Sequence, residues 1–296
     1  MMPESLPVPV LDLEPSTLYL VGTPIGNPAD LSPRAVAVLA KADTVLCEDT
    51  RVTGLLLSPL GLHPRYLSYH EHNRASRLPR VLAGLERGES WALVSDAGLP
   101  AISDPGQDLA AAVTEAGYGL SVIPGPVAGI TALAASGLDT RRFVFEGFIP
   151  QVPSERRETL GRIAAEERTV ILYESPTRVV RTLAELCEAG LGERRVVTGR
   201  ELTKTWEEYR RGTISELLEW YQASQPKGEF VLILEGRGEA EIRMPPARPG
   251  EDEVIGHAAA LLASGLDNRE AQRRLQADFG LSRNEAYQAV LRARER

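Results

Sequence analysis

Short apolar runs alternate along most of this chain with stretches of helical periodicity, and almost every apolar run ends in a loop rich in Gly, Pro or Asp. That pattern confines the chain to an α/β architecture, because strands separated by helices pair in parallel through crossovers. Strand-like runs fall at 17–22, 44–47, 91–95 and 120–123, with helical patterns at 33–40, 74–87 and 109–116 between them. A helix of small residues at 129–137 closes this first unit. Open α/β sheets bind ligands beyond the carboxyl ends of their strands, so chemistry is expected in the loops that follow these runs.

After a linker at 138–142 the pattern resumes, with strands expected at 143–148, 169–173, 195–198 and 229–235 and helices at 155–166, 178–189 and 215–222. A proline-rich stretch at 244–250 then breaks it, and two or three short helices follow at about 253–264, 268–279 and 282–294. Ser282 with Glu285 three residues later is a capping-box signal for the last of them. At 296 residues the chain exceeds one ordinary core. The expected organisation is a disordered lead-in at 1–16, an N-terminal α/β domain at 17–137, a second α/β domain with a mixed sheet at 138–240, and a helical module at 251–296.

Composition excludes several classes. A hydrophobic fraction of 43% without an apolar run of about 20 residues argues against a membrane span. The first 16 residues lack the basic start and apolar centre of a secretory signal. Cys47 and Cys187 have no zinc or CxxC spacing and read as small buried residues in a reducing compartment. A net charge of −8 argues against broad, sequence-independent nucleic-acid binding, so any RNA contact must use local patches. Arg141-Arg142, Arg156-Arg157, Arg194-Arg195, Arg210-Arg211 and the tail from Arg269 are the available ones, although paired arginines on a solvated face are commoner.

The loop Gly22-Thr23-Pro24-Ile25-Gly26-Asn27 has the position of a nucleotide-binding glycine loop, but Pro24 and Pro28 remove the backbone donors a pyrophosphate needs. It suits a neutral or cationic ligand, or is simply a tight turn. The segment 95–106 holds Ser95, Asp96, Ala97, Gly98, Ile102, Asp104 and Gly106. Its carboxylates either accept hydrogen bonds from ribose hydroxyls or an amino group, or cap turns. Glu48, Asp49 and Arg51 end another strand, where a local salt bridge is the plain alternative. His70, His72 and Asn73 lack a third metal ligand at a recognisable spacing, so a polar pocket or a hydrogen-bond network is the preferred reading and no metal is expected. Arg200-Glu201-Leu202-Thr203-Lys204 and Tyr173-Glu174-Ser175-Pro176-Thr177-Arg178 place charges after strands of the second sheet, pointing into the same cleft if the two sheets face each other.

In this order, LYLVGTPIGN, EDTR, SYHEHN, LVSDAGLPAISDPG, PGPVAGITAL, FEGFIP, YESPTR, RELTKTWEE and GEFVLILEG resemble the tetrapyrrole methylase superfamily. Their wording is similar to its bacterial ribosomal RNA small-subunit methyltransferase I branch, the 16S cytidine-2′-O-methyltransferases, over about three quarters of the chain. The resemblance implies a homodimeric, cytoplasmic enzyme that binds S-adenosylmethionine, without a metal, in the cleft between two α/β domains. Its implied acceptor is the ribose of a decoding-region cytidine of 16S ribosomal RNA in the small subunit. Carried over residue by residue, the cofactor set is Pro24, Ser95, Asp96, Ala97, Gly98, Ile102, Asp104, Gly106, Pro124, Gly125, Thr131 and Tyr173. Leu99 stands where Thr or another small residue is expected, and corrinoid-methylating members carry a glycine-richer first loop.

Transfer to a hydroxyl requires a base or an orienting cation. Glu48, Asp49, Arg51, Glu201 and Lys204 are the candidates, with His70, His72, Asn73 and Arg200 on the substrate and Tyr69 and Trp206 as further base partners. The helical tail offers Arg269, Arg273, Arg274 and Arg283 to RNA, or forms an amphipathic cap for the dimer. The rival functions are a methyltransferase acting on a tetrapyrrole or other small molecule, and a non-catalytic ribosome-assembly factor.

Overall fold

The structure, a computed structural model, describes residues 12–224, 226–238, 251–264, 266–279 and 281–295. The proline-rich stretch at 244–250 and residues 1–11 lie outside them. The described residues fall into two compact units, one within Met1–Arg237 and one within Gly238–Arg296.

The first unit holds two five-stranded sheets. Strands β1 (Thr17–Val21), β2 (Thr44–Cys47), β3 (Tyr66–Ser68), β4 (Trp91–Leu93) and β5 (Gly119–Ile123) pair in the order β3-β2-β4-β1-β5, all in parallel. Alternation decides which helices cover which face. Tyr19, Val21, Val45 and Cys47 meet Ala35, Val38 and Leu39 of α1 (Pro33–Lys41) and Leu57 of α2 (Thr50–Leu57). Leu18, Leu20, Leu46 and Trp91 meet Val81 and Leu85 of α3 (Arg74–Glu86) and Leu109 and Val113 of α4 (Gln107–Glu115). Each such fully buried aliphatic side chain contributes about 1.5–3 kcal/mol relative to exposure. Because the strands are parallel, their following loops all emerge at one edge.

The second sheet is mixed. It is built from β6 (Phe143–Phe148), β7 (Thr169–Glu174), β8 (Arg195–Arg200), β9 (Glu208–Thr213) and β10 (Phe230–Leu234) in the order β6-β7-β10-β8-β9, parallel only between β6 and β7. One face packs on α6 (Pro153–Ala165), α7 (Val179–Leu186) and α8 (Ile214–Ala223) through Leu160, Val179, Leu183, Leu217 and Tyr221. The other face, with Ile171, Val197 and Ile233, packs on Ala132 and Leu133 of α5 (Ala128–Ser136). The small-residue helix that follows the first sheet in sequence thus packs on the second sheet.

Three elements escape sequence reading. Helix α2 begins directly after Asp49, inside what reads as a loop; β3 spans three residues; and β9 (EYRRGT) is a polar edge strand without an apolar run. Residues 12–16, read as part of the lead-in, are tied down: the Gly119 amide donates to Ser16 O at 2.9 Å, the Glu14 amide to the Tyr19 hydroxyl at 2.8 Å, and Lys41 pairs with Asp12 at 3.1 Å. The second unit has three helices, α9 (Glu251–Ala263), α10 (Asn268–Phe279) and α11 (Arg283–Glu295), around Val254, Ala258, Ala271, Leu275, Ala286 and Val290. Ser282 and Glu285 form the expected reciprocal cap of α11, with bonds of 2.8 and 3.3 Å.

Candidate active site

The loops after β1, β4 and β5 are locked together by backbone contact. Thr23 and Gly98 exchange amide bonds of 2.8 and 3.2 Å, and the Thr23 hydroxyl donates to the carbonyls of Ser95 and Gly98 at 3.3 and 3.2 Å. Gly22 lies so close to Gly125 that a Cβ on it would stand 2.6 Å from the Gly125 Cα. These glycines are required by backbone approach, with no room for a side chain. Ala101 (φ 70°) and Ser103 (φ 60°) are in the left-handed region, unusual for residues with a Cβ and a mark of a loop held in place by its surroundings.

The first loop also interlocks with the second sheet. A Cβ on Gly26 would fall 2.5 Å from Lys204 Cγ, and the Asn27 amide donates to Thr203 Oγ1 at 3.0 Å. Register brings Glu174, Phe230, Arg200 and Glu208 into line at one end of the second sheet. The loop 201–207 leaves that end braced by Lys204 Nζ, which lies 3.0 Å from both Glu201 and Glu229.

Between these loops lies a cavity of ≈ 320 Å³. Ala97, Gly98, Ile102, Asp104 and Tyr173 of the sequence-derived set line it, and so does Leu99. Four other members shape the loops around it. Ser95 is buried and donates to the Ala97 carbonyl at 3.2 Å, Gly106 turns the chain at φ 133°, Gly125 abuts Gly22, and Thr131 bonds back to the Val127 carbonyl at 3.0 Å. Neither Pro24 nor Pro124 lines the cavity. Ile25, Val127, Glu174 and Leu202, from loops already marked as candidates but outside the cofactor set, also line it, and so do Phe148 and Glu229, which had not been singled out. Several stand in the motifs YESPTR, FEGFIP and GEFVLILEG, so the signal was present, but which positions face inward depends on strand register.

Among the described residues no Lys, Arg or His lines the cavity, while Asp104, Glu174 and Glu229 do. Burial, reinforced by Glu48 and Asp96, pushes Asp104 up to about 6. Glu174, 2% exposed, is saturated: its carboxylate accepts from the Ser175 amide at 2.8 Å, the Thr182 hydroxyl at 2.6 Å and Arg178 at 2.8 Å. The Tyr173 hydroxyl accepts from the Gly129 amide at 3.0 Å, tying β7 to the first turn of α5.

The candidate catalytic and substrate residues form two clusters. Near the first sheet, Asp96 accepts from the Asp49 amide at 3.2 Å, and burial together with the Asp96 charge raises Glu48 above the usual carboxylate range. Asp49 itself caps α2 through the Arg51 amide and pairs with the Arg51 guanidinium at 2.6 Å, which holds its carboxylate down to about 2. Asn73 fixes His70, its Oδ1 accepting from the His70 amide at 2.9 Å and its Nδ2 lying 2.9 Å from His70 Nε2. Since an amide nitrogen only donates, Nε2 accepts and the proton sits on Nδ1, which is buried without a partner. His72 is exposed and meets His70 edge-on at 6.0 Å. Among the described residues no group of three or more His, Cys, Asp or Glu could hold a metal. At the second sheet, burial raises Glu201 but its bond to Lys204 and the Glu229 amide carry it below the ordinary value, and Arg200 pairs with Glu208 at 3.1 Å.

Residues 17–218 match the family Tetrapyrrole (Corrin/Porphyrin) Methylases. The chain is 45% identical to the ribosomal RNA small subunit methyltransferase I of Synechocystis sp. over 93% of its own length and 97% of the relative's. It is 43% identical to the same-named protein of Escherichia coli O157:H7, covering 93% and 94%, and 38% identical to that of Bacillus subtilis, covering 92% and 93%. Among solved structures, a cobalt precorrin-4 methyltransferase of cobalamin biosynthesis superposes with a TM-score of 0.58 at 20% identity over 74% of this chain and 95% of its own. The uroporphyrin-III-C-methyltransferase of Thermus thermophilus gives 0.54 at 20% identity over 76% and 96%. These two likenesses concern the fold alone. The two-sheet fold, the family match and the full-length relatives together make this chain a member of the tetrapyrrole methylase family, in the group of the ribosomal RNA small subunit methyltransferases I.

Proposed function

We propose that the protein transfers a methyl group from S-adenosylmethionine to 16S ribosomal RNA, at the ribose 2′-oxygen of a cytidine in the decoding region, and that it does so in the cytoplasm on the small ribosomal subunit. The observation that carries this is the cavity at the meeting of both sheets, carboxylate-bearing and without any basic lining residue, in a chain whose full-length relatives carry the name ribosomal RNA small subunit methyltransferase I. Such a lining repels phosphate chains and tolerates a cation. A molecule with a sulfonium, an amino group and an adenosine suits its apolar walls and its acids. S-adenosylmethionine, when bound, supplies a methyl group activated by the positive sulfur.

The residues of the chain then position and deprotonate the acceptor. Ile25, Leu99, Ile102 and Leu202 exclude water, which strengthens every charge–charge interaction inside. Asp49 is a poor base, because Arg51 holds its proton affinity down. Glu48, raised by burial and by Asp96, is the better acceptor for the hydroxyl proton. Lys204 stands outside the cavity lining, held by Glu201 and Glu229 against the Gly26 loop, and with Arg200 orients the acceptor RNA.

The enzyme works as a homodimer. Both sheets end in an edge strand that exposes apolar side chains: Leu120 and Val122 (47% exposed) on β5, and Phe143, Phe145 and Phe148 (50%) on β6. Exposed apolar edges need a partner in solution, and a second copy supplies matching edges.

Substitution tests the assignment. Glu48→Gln, Glu201→Gln and Lys204→Ala, each assayed in single turnover on small subunits with S-adenosylmethionine affinity measured in parallel, are expected to lower the rate about 100-fold for Glu48 and less for the others, within the usual range for an acid–base group. Unchanged rates in all three dismiss the acceptor-side assignment.

A further inference from the structure

The second unit carries a surface that the chemistry above does not use. Helix α10 presents Arg269, Gln272, Arg273 and Gln276 at the spacing that puts residues on one helical face, and they line one wall of an open groove. The start of α11 forms the other wall with Arg283, Asn284 and Tyr287, the last 48% exposed. Among the described residues no acidic one lines this groove.

Four acids described in the unit are engaged away from these arginines. Asp267 and Glu270 cap the start of α10 reciprocally, at 2.8 and 3.3 Å, and Glu285 caps α11 with Ser282. Asp278 pairs with Arg274 at 3.1 Å and with His257 at 3.2 Å. Among the described residues Arg269, Arg273 and Arg283 form no ion pair. Three unpaired guanidiniums, three carboxamides and an exposed Tyr in one groove match the chemistry of an RNA strand. Guanidiniums take phosphate oxygens in bidentate fashion, amides read base edges, and a phenol ring stacks on an unstacked base. A second copy of the same groove would bring six like charges together, which disfavours self-association through it. On a protein of net charge −8, a single concentrated basic groove also fixes the orientation in which a polyanion approaches.

We propose that the groove between α10 and α11 binds the phosphodiester backbone of RNA and anchors the ribosomal RNA. This rests on the reading of the protein as a ribosomal RNA methyltransferase. The test uses the full-length protein and a fluorescein-labelled 16S RNA hairpin carrying the acceptor cytidine, titrated over a range of salt. The triple variant Arg269→Ala/Arg273→Ala/Arg283→Ala is expected to bind the hairpin at least about tenfold more weakly at low salt. The slope of log affinity against log salt should fall by about 2–3, at roughly 0.7–0.9 per phosphate contact. The corresponding triple Lys variant should keep most of the slope, and Arg274→Ala should behave as wild type. S-adenosylmethionine affinity and melting temperature, unchanged in all variants, report that the fold is intact. An unaltered hairpin affinity and slope in the Ala triple overturns the proposal. So does loss of binding to intact small subunits with naked RNA binding preserved, which assigns the groove to a protein. Methylation by the wild-type protein is scored separately, so failure of the groove and failure of the enzymatic reading are distinguishable.

Discussion

Gly22 and Gly125 touch backbone to backbone: a Cβ on Gly22 would stand 2.6 Å from the Gly125 Cα, and a Cβ on Gly125 would stand 2.8 Å from the Gly22 Cα. The contact joins the loops after β1 and β5, neighbours in the first sheet, and holds them together beside the cavity. Gly22→Ala or Gly125→Ala must push one loop off the other, with a loss of about 1–3 kcal/mol of stability and a larger proportional loss of S-adenosylmethionine affinity. Denaturant unfolding and calorimetric binding on the same samples check both. An alanine accepted without change in either would mean that the loops are not rigidly docked.

Asp104 gives the site a pH dependence with a defined sign. Its folded value of about 6 lies above the ordinary value of about 3.9, so it contributes stability that is full below that ordinary value and lost as pH rises through 6. Asp104→Asn should therefore raise the melting temperature of the unliganded protein at pH 7.5, with the gap closing below about pH 4. A cationic ligand favours the ionised form. S-adenosylmethionine affinity of the wild type should fall about tenfold from pH 7 to pH 5, as a group of this value protonates, and stay nearly flat in Asp104→Asn.

Arg156, 3% exposed, joins α6 to α7 by bonding Glu185 at 2.5 Å and the Thr182 hydroxyl at 2.8 Å, and Thr182 in turn donates to Glu174 on the cavity wall. Arg156→Met leaves Glu185 with Arg181 alone, 2.8 Å away, takes the buried guanidinium donor from the Thr182 hydroxyl, and should cost about 1–3 kcal/mol in chemical denaturation. Because Glu174 loses part of its support, S-adenosylmethionine binding should weaken beyond what unfolding explains.

The exposed edge strands make the oligomeric state testable. Val122→Glu or Phe145→Glu puts a charge on an edge that a second copy would cover. Dissociation in sedimentation experiments should strengthen by about 30-fold or more, equivalent to about 2 kcal/mol at a packed interface position. A wild-type protein that is monomeric at micromolar concentration would contradict the dimer.

Much of this is readable from residue patterns. Nearly every helix and strand of the first sheet announces itself, because a buried parallel sheet needs uninterrupted apolar runs such as LYLV and WALV. The loops of the first sheet that line the cavity are readable for the same reason, since they follow those runs. The rest depends on pairing across the chain. Strand β9 packs Arg210 over Trp220, its ring centroid 3.7 Å away, and shows no apolar run. Glu229 and Leu202 reach the cavity only because β10 lies between β7 and β8, an order that alternation cannot encode. The local role of Asp49 as a cap for α2 is of the same kind: spacing gives the residue types, and only the helix start reveals which side chains are already spent.

Methyl transfer to ribosomal RNA is measured by incubating the protein with methyl-labelled S-adenosylmethionine and small ribosomal subunits that lack the modification, then mapping the label by nuclease digestion and mass spectrometry. Label is expected on the ribose of one cytidine of 16S RNA, incorporated about 100-fold more slowly by Glu48→Gln. Absence of label from RNA, with S-adenosylmethionine binding intact, would contradict it and point to a small-molecule acceptor.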